Sequence, residues 1–87
     1  MPRASEEDIA RAADKAFEKE PMLARNVKIY LCHGYTGQSL KAIGAKFGTS
    51  ESGASQACRR MILRMKHDSR LRKRVDAIRD SIGLSSV

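Results

Sequence analysis

Eighty-seven residues allow one small domain with a single core, which excludes the multi-domain layouts that most enzymes with nucleotide cofactors need. Lysine and arginine number 17 against 10 acids, a formal net charge of +7, so the chain suits a polyanionic partner or is merely very soluble. An apolar fraction of 41% with only four aromatics, Phe17, Tyr30, Tyr35 and Phe47, points to an aliphatic core rather than a disordered basic tail.

Ser5 followed by Asp8 is a weakened capping box, and Ile9, Ala13, Ala16 and Phe17 then fall on one stripe, predicting a first helix from about 5 to 19. Pro21 suits the first turn of a second helix. Its core stripe is Leu23, Val27, Tyr30 and Leu31, widened by Met22 and Ile29, and Gly34 and Gly37 end it. Gln38 or Ser39 can start a short third helix ending at Gly48, with Leu40, Ile43, Gly44 and Phe47 at helical spacing. Ser50 can cap a fourth, in which Ala54, Ala57, Cys58, Met61, Ile62 and Met65 repeat at helical intervals. Ser69 can cap a fifth, with Leu71, Val75, Ile78 and Ile82 on one seam and Gly83 as its stop. No strand alternation interrupts this pattern, so the fold class is all-α with about five helices. The expected division is 1–20, an N-terminal acidic helix; 21–83, a helix-turn-helix domain; and 84–87, a tail.

The charge is unevenly spread. Residues 1–20 carry −2 and the remaining 67 carry +9. Between 59 and 74 lie eight bases, Arg59, Arg60, Arg64, Lys66, Arg70, Arg72, Lys73 and Arg74, and one acid, Asp68. The densest part adjoins Ser39 to Arg60, SLKAIGAKFGTSESGASQACRR, which has the ingredients of a helix-turn-helix. Gly44 supplies a close approach between helices, Gly48 a turn that tolerates positive φ, Ala54 and Ala57 the inward positions of the second helix, and Ile43 and Phe47 the wedge between the two. A generic helical corner would imitate part of this arrangement.

In a helix-turn-helix the second helix enters the major groove with its N-terminal outward residues at the base edges. Those are Ser50, Glu51, Ser52, Ser55, Gln56 and Arg59. Arg59 can reach guanine with two donors, Gln56 can pair with adenine, and Ser52 and Ser55 are adaptable donors. Glu51 is repelled by phosphates; it accepts from a cytosine amino group, faces away or caps its own helix, and the cap is the expected role. Lys41, Arg60, Arg64, Lys66, Arg70, Arg72 and Lys73 lie outside the groove-entering turns and suit phosphate gripping.

Over these residues the chain resembles the C-terminal DNA-binding domain of the bacterial replication initiator DnaA, a Trp-repressor-like helix-turn-helix. The resemblance runs from about Leu23 to Leu84 and is carried by Thr36-Gly37-Gln38-Ser39-Leu40, Ile43-Gly44, Phe47-Gly48 and Ala57-Cys58-Arg59-Arg60. A similar module closes the REP-associated transposases. The resemblance implies a backbone-contacting role for Arg25, which matches an arginine that helps the family hold DNA. The family's Asp-His-Thr-Thr signature falls instead on Ser50, Glu51, Ser52 and Gly53, after a one-residue deletion in the turn. That departure separates this chain from recognition of the initiator's own box. The family's preceding Arg-rich stretch is replaced by Phe17-Glu18-Lys19-Glu20-Pro21, and no phosphate-binding loop of an ATPase is present.

The reading is therefore non-catalytic binding of double-stranded DNA, sequence-preferring, in replication, transposition or transcription, by a monomer or weak dimer with no cofactor and no small-molecule substrate. The competitor is a protein-interaction adaptor that keeps the scaffold without DNA readout, as Glu51 and Gly53 suggest; +9 across the motif-bearing part speaks against it. RNA is less favoured because Tyr30 and Phe47 lie on core stripes and leave no stacking platform. His33, His67, Cys32 and Cys58 lack metal-ligand spacing, so no metal is expected, and the two cysteines read as small buried hydrophobes. No run reaches the roughly 18 apolar residues of a membrane span, and Met1 to Asp8 is acidic where a signal peptide would be basic and then apolar. A cytoplasmic, nucleoid-associated protein is expected.

Overall fold

The computed structural model describes residues 6–82, with helices α1 (Glu6–Ala16), α2 (Pro21–Tyr35), α3 (Leu40–Lys46), α4 (Glu51–His67) and α5 (Ser69–Ser81). No strand occurs among the described residues. The expected Ser5 cap, the Gly83 stop and the 84–87 tail lie outside them.

One core serves all five helices. α1 gives it Ile9 and Ala13, and the turn after α1 gives Phe17; α2 gives Leu23, Ala24, Val27, Ile29, Leu31 and Cys32. Ile43 comes from α3, Ala54, Ala57, Cys58 and Met61 from α4, and Leu71, Val75 and Ile78 from α5. α2 is the central element, packed against α1, α3 and α4, while α5 closes the other side against α1 and α4. Because α2 is contacted from several directions, its apolar residues cover more than one stripe, and Ile29 is buried as expected of such a helix. Cys32 and Cys58 are both buried, and they are not joined in a disulfide.

Several boundaries differ from the sequence reading. α1 stops at Ala16, where residues 17–19 form a turn; Ala16 is exposed, and only its carbonyl is used, by Arg74. Gly34 does not end α2, which continues to Tyr35 and closes at Thr36, whose hydroxyl donates to the Cys32 carbonyl at 2.6 Å. Gly37, at φ +75°, makes the reversal into α3. Ser39 rather than Gln38 caps α3, accepting from the Ala42 N–H at 3.1 Å. The fifth helix is capped by Asp68, whose carboxylate accepts from Leu71 N–H at 3.1 Å, with Ser69 already helical. Asp68 stands three residues before a free N–H, where a side-chain acceptor closes the cap, and this offset excludes Ser69.

Besides Ala16, two further stripe assignments fail. Met22 is 72% exposed in the first turn of α2, while its neighbours Leu23 and Ala24 take the inward positions. Ile62 is 47% exposed, one position beyond Met61, which takes the inward site. Tyr30 and Phe47 are half-buried, packing against the core's edge rather than within it.

Candidate nucleic-acid interface

The α3–α4 corner is built by two glycines. Gly48 has φ +73°, a left-handed conformation that lets the chain turn within the four residues separating the helices. Immediately after it, Thr49 N–H donates to the Gly44 carbonyl at 2.7 Å. A Cβ on Gly44 would stand 2.8 Å from the Ser50 carbonyl oxygen and 2.9 Å from that of Thr49, so the chain entering α4 lies directly on the bare face of α3. Ile43, Ala54 and Ala57 seal the angle from inside. This is a helix-turn-helix held at its crossing by backbone contact.

Ser50 is the N-cap of α4, its hydroxyl accepting from Gly53 N–H at 3.0 Å. This is the cap read at Ser50 from the sequence; the further capping role read for Glu51 is not the N-cap itself. Glu51 occupies the first turn, exposed, where a carboxylate meets the positive end of the helix dipole. Gly53 is half-buried, and a side chain there would overlap the Thr49 hydroxyl, a contact that no sequence signal announced.

Opposite the buried stripe of α4, Ser52, Gln56 and Arg59 follow one another at intervals of 4 and 3 and are all exposed. Leu63 extends the same line by four residues and is 51% exposed. The sequence reading missed it, although the i, i+4, i+7 spacing would have shown it. Ser55 lies to one side and is half-buried. Arg60, Arg64 and Lys66 are exposed on α4; Arg70, Arg72 and Lys73 are exposed on α5. Arg25 and Lys41 are exposed on α2 and α3, apart from this run.

Arg74 is different from the rest of the 59–74 run. Its guanidinium pairs with Glu20 at 3.1 Å, donates to the Ala16 carbonyl at 2.7 Å and lies 4.1 Å from the centroid of the Phe17 ring. It pins α5 to the α1–α2 corner. The other seven bases, Arg59 through Lys73, have no carboxylate partner among the described residues, while Lys28 and Arg79 are paired with Asp14 and Asp76. No grouping of three or more metal-ligating side chains occurs among the described residues. No described helix is long and apolar enough to cross a membrane.

An all-α fold whose third and fourth helices form a tight corner, with a polar line and unpaired bases on the second of them, defines a helix-turn-helix module. The chain belongs to the bacterial dnaA protein helix-turn-helix family, whose model matches residues 5–61, and is thereby a DNA-binding domain of the DnaA type. That match begins earlier than the Leu23 read from sequence, taking in α1, and ends earlier than Leu84, within α4. No curated protein and no solved structure matches the chain.

Proposed function

We propose that this protein binds double-stranded DNA with sequence preference and without catalysis, in a replication, transposition or transcription role. α4 lies in the major groove with Ser52, Gln56 and Arg59 at base edges. Ser50, Glu51 and Ser55 stand beside them, with Ser50 contributing chiefly as the cap. Arg25, Lys41, Arg60, Arg64, Lys66, Arg70, Arg72 and Lys73 hold backbone. The observation that carries this reading is the sorting of charge: seven exposed bases on α4 and α5 have no carboxylate partner among the described residues, while Lys28, Arg74 and Arg79 are paired internally. An excess of uncompensated bases on and next to a groove-sized helix is the electrostatic footprint of a nucleic-acid binder.

Selection from a random duplex pool at 50 mM salt tests both halves of the proposal. Recovery of a recurrent sequence establishes preference. Absence of any duplex binding, even at the roughly 10⁻⁴ to 10⁻⁶ M expected of nonspecific contacts, defeats it. The adaptor reading draws support from the exposure of Ile62 and Leu63 on α4, the helix that also carries Glu51, and it predicts that no duplex is retained in this selection.

A further inference from the structure

Between α2, α4 and α5 lies a cleft of about 230 Å³ lined by Tyr30, Ile62, Met65, Lys66, Arg72, Asp76 and Arg79. Six of these seven residues lie beyond the segment that matches the family. The volume is below the roughly 300–1,000 Å³ of sites for drug-sized ligands, so the cleft holds one small group. Three cations face one acid, and that acid is already engaged: Asp76 accepts from Arg79 at 3.2 Å. Lys66 and Arg72 remain uncompensated among the described residues.

Arg79 adds a second, independent sign. Its guanidinium lies 5.3 Å from the centroid of the Tyr35 ring, and its Nε–H is buried without an acceptor among the described residues. A buried guanidinium N–H is rarely left without an acceptor, so the wall of the cleft carries a donor not used by the described residues beside its two uncompensated cations. The cleft also lies at a distinctive distance from the reading residues. Lys66 follows Arg59 by seven positions, about 10 Å along the helix axis, comparable with the roughly 12 Å width of the major groove. With Arg59 at base edges, this end of α4 meets the sugar-phosphate wall.

We propose that this cleft is a phosphate seat in which Lys66 and Arg72 together hold a single backbone phosphodiester of the duplex. The inference rests on the DNA-binding reading and sharpens it, since it turns two separate basic residues into one site. The shared chemistry is a phosphate group; the alternative source is a free phosphate compound.

The salt dependence of duplex binding separates one seat from two independent contacts. Each phosphate neutralised contributes about 0.9 to the slope of log K against log salt. The Lys66→Gln/Arg72→Gln double variant is therefore expected to lower the slope by about one unit in total; a fall of about two units means two phosphates and overturns the proposal. Both residues are exposed, so the variant should fold, and an unchanged thermal transition checks this. Duplexes carrying one neutral methylphosphonate give a second readout. At one backbone position the wild type should lose about tenfold in affinity, as for loss of one charge-assisted contact, and the double variant should lose nothing further there. Equal losses in both proteins overturn the assignment. Inorganic phosphate titrated without DNA distinguishes the sources: saturation of the Tyr30 and Ile62 resonances, together with an unchanged slope in the double variant, assigns the cleft to a free phosphate compound instead. Duplex binding by the wild type is measured in the same series, so a failure of the seat and a failure of DNA binding are told apart.

Discussion

At Gly44 the chain leaves no room for a methyl group, because both atoms facing its bare Cα are backbone carbonyl oxygens that cannot rotate away. Gly44→Ala should force α3 and α4 apart and destabilise the fold by about 1–3 kcal/mol, read from the urea midpoint. Gly53 is a contrasting case: the obstacle is the Thr49 side chain, which a new rotamer relieves. Cys58 is packed among apolar neighbours, and burial pushes its thiol above the ordinary value of 9.0. The folded state then keeps its proton to higher pH than the unfolded chain does. The sign follows: this contribution is fully present below pH 9.0 and is lost as pH rises through the folded value. Urea titrations at pH 8 and pH 10.5 should show a larger drop for the wild type than for Cys58→Ala. At pH 8, alkylation of the native thiol should be slow relative to the unfolded protein, since the thiolate is the reactive form.

α4 performs two tasks along its length, and its two ends can be tested separately. Its start depends on the Ser50 hydroxyl, which satisfies one of the free N–H groups of the first turn. Ser50→Ala should cost about 1 kcal/mol in stability, measured by thermal melting. Glu51 lies in the same turn but pulls in two directions. Its carboxylate favours the helix through the dipole and opposes a phosphate backbone through like charge. Glu51→Gln should therefore lower the melting temperature slightly while tightening duplex binding at low salt, and a titration showing weaker binding would remove α4's first turn from the interface. The other end carries Arg64, Lys66 and His67 in its last turn, which complement the negative end of the dipole even without DNA. Stability alone thus accounts for part of the basic composition there, and the missing carboxylate partners account for the rest.

For the molecule as a whole, α1 is separate in charge but continuous in packing. Phe17 is buried at the α1–α2 corner beneath Arg74, and Ile9 and Ala13 belong to the same core as the helix-turn-helix. Phe17→Ala should cost about 3–5 kcal/mol, enough to leave so small a domain largely unfolded at 37 °C by circular dichroism. A chain beginning at Pro21 should fail to fold for the same reason. We take 1–20 and 21–83 as regions of different charge within one folding unit. The uneven spread of charge, −2 over 1–20 against +9 over the remainder, would orient the domain during encounter with a duplex. Raising salt from 50 to 200 mM should weaken duplex binding by about 10³ to 10⁵ if six to ten phosphates are contacted, and a flat response would contradict the phosphate-gripping assignment.

The sequence by itself determined the five helices, the turn at Gly48 and the close approach at Gly44, because helical spacing and the conformational freedom of glycine are local properties. It also named Ser52, Gln56 and Arg59 among six outward residues, although Ser55 of the same set is half-buried. What only the tertiary structure decided involves partners distant in sequence. Arg74 looks like any other base in a basic run until Glu20 and the Ala16 carbonyl come within 3.1 and 2.7 Å of it across the α1–α5 contact. Ile62 and Met61 are adjacent on a stripe, and only the positions of α2 and α5 determine which one is buried. Tyr30, Lys66, Arg72 and Arg79 share a cleft although they come from three helices. Pairing and burial depend on which surfaces meet, and the periodicity of one helix carries no information about the helix that will face it.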